Sequence, residues 1–144
     1  MHNNCLLNTR PQLALIAHTV NTMAPPVLKC INKEEREKEG FMSFKDWIDV
    51  PSHEYIGPNV HKYTRNFNQY PSLWVNPFHN HFNHYRGEEG NRLFEFFIRH
   101  NPTLKECIPQ LENKVMGCWC TDARDCHGEI LIKLYKEYEE AKKQ

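Results

Sequence analysis

The last thirty residues constrain the fold most, because their pattern is that of one β-strand leading into one α-helix. Residues 114–120 end in the sequence Gly-Cys-Trp-Cys and predict a strand, and residues 121–125 form a polar turn. From Cys126 onward, apolar residues recur at helical spacing. A strand, a turn and a helix in this order make the half of a Rossmann-like unit that usually carries the ligand site.

The rest of the sequence alternates short apolar runs with helical patterns, which is typical of an α/β domain. Asn32 and Ser43 stand where helix N-caps are expected, and we expect Pro102 to end a helix and Thr103 to cap a brief successor. We predict one small Rossmann-like, three-layer α/β domain over 26–144, with a short, mostly parallel sheet and flanking helices. Residues 1–25 form an N-terminal extension that ends at a Pro-Pro connector and is a candidate for disorder. The other predicted elements are strands at 27–31 and 55–57, helices at 33–39 and 88–100, and a short helix after residue 43.

Composition narrows the class of protein. The 144 residues suit one domain, and 18 basic residues balance 18 acidic ones, so no global positive field attracts nucleic acid. The sequence holds no apolar run long enough for a transmembrane helix, and we expect no membrane partner. Three of the six cysteines lie within residues 118–126 and no secretory signal is visible, so we expect reduced thiols and a cytoplasmic protein, or one of the host cytosol or nucleus if its source is viral.

The cysteine motifs predict one site at the end of the last strand. Cys118 and Cys120 should point to the same face, and the turn should bring Cys126 and His127 back beside them. The first turn of the following helix offers unpaired N–H groups and the positive end of the helix dipole, which favour phosphate. We expect a phosphate-bearing partner there, either a nucleotide or a nucleic-acid end. The expected ligand-binding residues are Trp74, Asn76, Phe78, Cys118, Cys120, Arg124 and Gly128.

Three interpretations of these cysteines stay open. In the first, Cys126 is a thiolate nucleophile or redox group, with His127 or Glu129 moving protons. In the second, zinc is bound by Cys118, Cys120, Cys126 and His127, although this spacing departs from the usual C-x₂-C. In the third, the cysteines are structural and the protein is a non-catalytic adaptor or a ligand-sequestering protein. No other cofactor is indicated.

Two further features remain ambiguous in the sequence. The segment with His79, His81 and His84 has metal-ligand residue types, but loop histidines are commonly just solvated. Trp74 and Phe78 could stack a base or anchor their loop on the core. The same aromatic loop could also bury against a second copy of the chain, so a homo-oligomer is a further expectation.

Three motifs together resemble domain of unknown function family 4326, which occurs in bacteria, phages and large DNA viruses. The family's W-G-N-P-F, G-C-W-C and C-H-G-D motifs correspond here to 74–78, 117–120 and 126–129, and the resemblance covers roughly residues 26–140. It departs from the family at Val75, where glycine is usual, at Glu129, where aspartate is usual, and near Pro58, where a basic residue is usual. The spacing from Cys120 to Cys126 is also one or two residues longer. The resemblance implies a fold but supplies no activity.

Overall fold

A computed structural model describes residues 23–58, 72–78, 87–120 and 125–144. The predicted extension, apart from residues 23–25, lies outside these residues, as do the histidine segment and Arg124. The described chain forms three strands, five α-helices and one 3-10 turn. In chain order these are β1 (Val27–Cys30), α1 (Lys33–Lys38), α2 (Phe44–Ile48), β2 (His53–Tyr55), α3 (Gly87–Arg99), α4 (Pro102–Cys107), the 3-10 turn (Ile108–Leu111), β3 (Val115–Cys118) and α5 (Gly128–Lys142).

The three described strands form one parallel sheet in the order β1-β3-β2. Cys30 of β1 lies in register with Cys118 of β3, and Tyr55 of β2 lies in register with Gly117. Because all three strands run the same way, their carboxyl ends meet at one edge of the sheet. The predicted small α/β domain is thereby confirmed, while the second strand begins two residues earlier than the sequence indicated.

Apolar side chains cover both faces of the sheet. On one face, a larger cluster joins Met116 and Cys118 of β3 to residues of α3, α4 and α5, among them Phe94 and Leu131. On the other face, α2 contributes Trp47 to a smaller cluster. Gly117 makes this second contact possible, since a Cβ there would lie 2.3 Å from the end of the Trp47 ring. The glycine of the Gly-Cys-Trp-Cys motif is therefore required by close packing.

Helix caps explain where three of the short helices begin. Asn32 and Ser43 cap α1 and α2 as predicted, and Ser43 and Asp46 form a reciprocal capping box. For α4 the prediction was wrong: Asn101, not Thr103, accepts the hydrogen bond from the Leu104 N–H. Pro102 occupies the first turn of that helix, where its missing N–H costs nothing.

The cysteines and helices answer two of the compositional expectations. Among the residues that the structure describes, Cys30, Cys118, Cys120 and Cys126 are free thiols, in line with the expectation of reduced cysteines. Among the residues with described structure, no helix has the length and apolarity needed to cross a bilayer.

Candidate functional site

Three thiols meet at the carboxyl edge of the sheet. Cys118 ends β3, Cys120 follows two residues later, and Cys126 lies two residues before α5. Their sulfur atoms all lie within 4.8 Å of one another, and those of Cys118 and Cys120 are 3.3 Å apart. Cys118 and Cys120 thus lie together as predicted, although Cys120 lies beyond the end of β3, and the segment before α5 brings in the third sulfur.

The three thiols differ in exposure and in their contacts with the helix. Cys118 and Cys126 are almost completely buried in the larger core cluster, while Cys120 is half-buried at its margin. The backbone N–H of Gly128, in the first turn of α5, donates to the Cys126 sulfur over 3.5 Å. An amide of this kind, at the positive end of a helix, favours negative charge on the sulfur.

The thiols share hydrogen bonds that separate their acidities. Hydrogen bonds from Cys120 and Cys126 hold the pKa of Cys118 well below its usual value. The hydrogen bond shared with Cys118 raises the pKa of Cys120 to about 11. The pKa of Cys126 is raised by hydrogen bonds with both neighbours and by burial. The shared hydrogen bonds therefore favour one thiolate among the three sulfurs, with protons held on the other two.

His127 is buried beside the thiols and joins two other segments. Its Nε2 lies 2.8 Å from the Ile56 carbonyl oxygen and 3.0 Å from that of Trp74. Because both partners are acceptors, Nε2 must carry the hydrogen and donate it. The edge of Phe94 packs on the ring at a centroid distance of 5.0 Å. This nitrogen is thus committed to the backbone, and His127 does not join the cysteines as the fourth ligand that the zinc interpretation assigned to it.

An open pocket of about 240 Å³ adjoins the cluster. Cys118 and Cys120 form part of its wall, whereas Cys126 does not line it. Among the described residues, its lining contains no lysine or arginine. The lining residues are Pro58, Val75, Asn76, Cys118, Trp119, Cys120 and His127.

Comparison with known proteins assigns the chain to a family. The model of Domain of unknown function (DUF4326) matches residues 41–137, which is more than half of the chain. This protein belongs to the DUF4326 family. The matched range contains all three clustered thiols and every described residue of the pocket wall. No curated protein and no solved structure matches the chain.

Three residues of the 74–78 segment of this DUF4326 domain, Trp74, Asn76 and Phe78, were expected to bind the ligand. Of these three, Asn76 alone lines the pocket. The Trp74 ring is buried in the core, and Phe78 packs edge-on against Phe97 of α3 at 6.1 Å. Both aromatic rings therefore anchor the segment. Asn76 lines the pocket, and its Oδ1 accepts the Phe78 N–H at 2.9 Å, which closes a tight turn.

The residues expected to be catalytic are not brought to one surface. Cys126 is 1% exposed and Glu129 is exposed on α5, where it does not line the pocket. Gly128 packs tightly, since a Cβ there would lie 2.5 Å from Leu28. This glycine serves helix-to-sheet packing and the amide contact with sulfur.

Sequence reasoning missed the part that Trp119 and Val75 play in the pocket. If the strand continued through Cys120, alternation would place Trp119 on the face opposite the thiols, and Trp119 does contact the smaller core cluster. However, β3 ends at Cys118, so Trp119 lies beyond the strand and also borders the pocket. The position of Trp119 between two cysteines of the expected site could have indicated its place in the pocket. That inference would have required the end of β3 to be known to within one residue.

Proposed function

We propose that this DUF4326 domain binds a zinc ion through Cys118, Cys120 and Cys126, and that the adjoining pocket takes a small phosphate-bearing ligand, such as a nucleotide. The observation that carries the proposal is the convergence of three sulfur atoms within 4.8 Å beside an open pocket.

The cluster has the dimensions and the chemistry of a thiolate metal site. Zinc–sulfur bonds of about 2.3 Å place sulfurs of a tetrahedral site about 3.8 Å apart. The present sulfurs span this distance, so small side-chain rotations would bring them into coordination. A metal ion would replace the thiol protons and neutralise the charge that gathers on the sulfurs. Three protein ligands leave a fourth position open, as zinc sites that bind substrates do.

The metal also offers a reason for a phosphate-bearing ligand. The pocket lies at the carboxyl edge of a parallel sheet and beside the start of a helix, where α/β domains commonly bind phosphates. A cation strengthens phosphate binding, and the described lining contains no lysine or arginine. A zinc ion on Cys118 and Cys120 would supply that charge at the pocket wall.

Metal content tests the first half of the proposal. Protein purified without added metal or chelator should contain about one zinc per chain by elemental mass spectrometry, or take up one when zinc is added. Cys120→Ser should lose most of that zinc because it removes a ligand without cutting into the core. Cys30→Ser is the matched control, since Cys30 is a free thiol on the neighbouring strand, in register with Cys118 but outside the cluster. Equal zinc in these two variants, or none in the unaltered protein, would contradict the proposal.

Ligand binding tests the second half. Titration calorimetry with ribose 5-phosphate should show binding to the zinc-loaded protein and none after chelation, because the metal supplies the phosphate contact. Binding that is unaffected by chelation would place the phosphate elsewhere. A 5′-phosphorylated oligonucleotide that binds more tightly than a mononucleotide would identify the ligand as a nucleic-acid end.

A further inference from the structure

The pocket wall holds an aromatic ring and an amide donor in addition to the thiols. We infer that the ligand carries a flat heteroaromatic ring of the nucleobase class, which stacks on Trp119 and accepts a hydrogen bond from the Asn76 side chain. The inference deepens the proposed function by naming the chemical class of the ligand, and it rests on that function for the phosphate end only.

Trp119 is a ring held in a fixed orientation. Its indole N–H donates to the Tyr55 hydroxyl at 2.9 Å, and that hydroxyl in turn donates to the Pro58 carbonyl at 2.7 Å. Phe44 supports the ring from the core side, at a centroid distance of 5.9 Å. The side chain remains partly exposed, and it borders the pocket. A ring that is already immobilised loses little entropy when a second ring stacks on it. Any nucleobase can stack on such an aromatic surface, because every base has a flat π-face.

Asn76 offers a directional donor to the same space. The side chain is 5% exposed, and its Oδ1 is fixed by accepting the Phe78 N–H. This bond settles which end of the amide is nitrogen. Among the residues with described structure, no hydrogen bond occupies Nδ2, and Asn76 lines the pocket. An amide N–H at the pocket wall can donate to a ligand, and a ring carbonyl or ring nitrogen of a base accepts such a bond.

The remaining walls suit one ring joined to one phosphate. Val75 and Pro58 are apolar neighbours for a ring, while Cys118 and Cys120 form the part of the wall where the metal is proposed. The volume of about 240 Å³ lies below that of pockets for drug-sized ligands, which begin at about 300 Å³. A single nucleoside phosphate therefore fits the site better than a dinucleotide.

The test uses the full chain with three probes: uridine, ribose 5-phosphate and uridine 5′-monophosphate. Uridine should shift the indole N–H resonance of Trp119 in a nitrogen–proton correlation spectrum, and leave those of the buried Trp47 and Trp74 nearly unchanged. The resonance is assigned from Trp119→Phe. Trp119→Leu should weaken uridine 5′-monophosphate binding roughly 5- to 100-fold, the usual effect of losing one stacked base. Trp119→Phe keeps a ring and should retain most of the affinity.

Asn76→Asp isolates the hydrogen bond from the fold. The carboxylate can still accept the Phe78 N–H, so the turn should survive, but the Nδ2 donor is gone. Uridine, which has no phosphate for the new charge to repel, should bind this variant roughly 2- to 13-fold more weakly, the usual effect of losing a hydrogen bond. An unchanged affinity of Asn76→Asp for uridine would remove Asn76 from the assigned contacts and overturn that part of the inference.

The outcomes separate this inference from the proposed metal site. One outcome would overturn the ring contact but leave the metal site in place. In it, ribose 5-phosphate binds as tightly as uridine 5′-monophosphate, and Trp119→Leu binds each of these ligands with the affinity of the unaltered protein. If zinc and ribose 5-phosphate both fail to bind, but uridine still shifts the Trp119 resonance, the metal site is wrong while the ring contact stands.

Discussion

His127 shows how one side chain can hold the segments of a site together. It lies just before α5, and its Nε2 donates to carbonyls at the end of β2 and in the 72–78 segment. These three segments are far apart in the sequence but border the same pocket. The buried imidazole therefore positions the pocket wall, which gives the histidine of the Cys-His-Gly motif a structural explanation.

We predict that His127→Ala lowers the free energy of unfolding by about 1–3 kcal/mol, because it leaves two carbonyl oxygens without their donor. His127→Gln keeps an N–H donor and should recover part of the loss. Urea unfolding followed by circular dichroism measures both. His100→Ala is the control, since His100 is exposed at the end of α3 and its loss should change stability by less than about 0.5 kcal/mol. Equal stability of His127→Ala and His100→Ala would contradict the assigned role.

At the scale of elements, charged side chains link α3 to α5 above the larger core cluster. Glu95 of α3 accepts from Lys133 of α5 at 3.0 Å, and Arg99 of α3 donates to Glu137 of α5 at 2.8 Å. Arg99 also donates to Glu95 at 2.9 Å, which joins the two pairs. The helix that carries the third thiol near its start is therefore fixed along its length by both apolar contacts and an ion-pair network.

This network predicts a pH dependence of stability. Burial alone would raise the pKa of Glu95, but hydrogen bonds from Lys133 and Arg99 outweigh it and lower the pKa. A carboxylate with a lowered pKa stabilises the fold above its unfolded pKa and loses that contribution as the pH falls through the folded value. Between pH 7 and pH 3, the free energy of unfolding of Glu95→Gln should therefore fall by about 0.2–1 kcal/mol less than that of the unaltered protein. Urea unfolding at the two pH values measures both changes. Glu106→Gln, which alters an exposed carboxylate on α4, is the control and should show the same pH dependence as the unaltered protein. If the stability of both variants depended equally weakly on pH, the effect could not be assigned to Glu95.

The elements that the sequence predicted well are those whose pattern is local. Apolar spacing over α3 located that helix to within a residue at each end, and the side-chain caps Asn32 and Ser43 marked two helix starts. The 3-10 turn at Ile108–Leu111 was not predicted, and α4 has its cap at Asn101 because Pro102 suits the first helical position. These misses depend on hydrogen-bond geometry that residue spacing does not encode.

At the scale of the whole molecule, the site is the place where three distant segments meet. The proximity of Cys118 and Cys120 was predicted, and Asn76, which was expected at the same site, lines the pocket with them. That Trp119 shares this pocket was beyond the sequence pattern, because it depends on where β3 ends. Trp74 and Phe78 could be assigned to ligand or core only by packing, which places the Trp74 ring in the core and the Phe78 ring against Phe97.

The apolar clusters on both faces of the sheet predict how the molecule responds to metal. Because these clusters are built mainly from aliphatic and aromatic side chains, the metal-free domain should stay folded and keep its far-UV circular dichroism at 20 °C. Metal at 100 times its dissociation constant should then add about 2.7 kcal/mol to the free energy of unfolding, which corresponds to a rise of roughly 5–15 °C in the melting temperature of a domain of this size.

Scanning calorimetry with zinc and with chelator measures the rise, which Cys30→Ser should retain and Cys120→Ser should lose. A chelated protein that is unfolded at 20 °C would show that the metal nucleates the fold, as in zinc fingers. The absence of any rise in the unaltered protein would show that the three sulfurs serve only to pack the core.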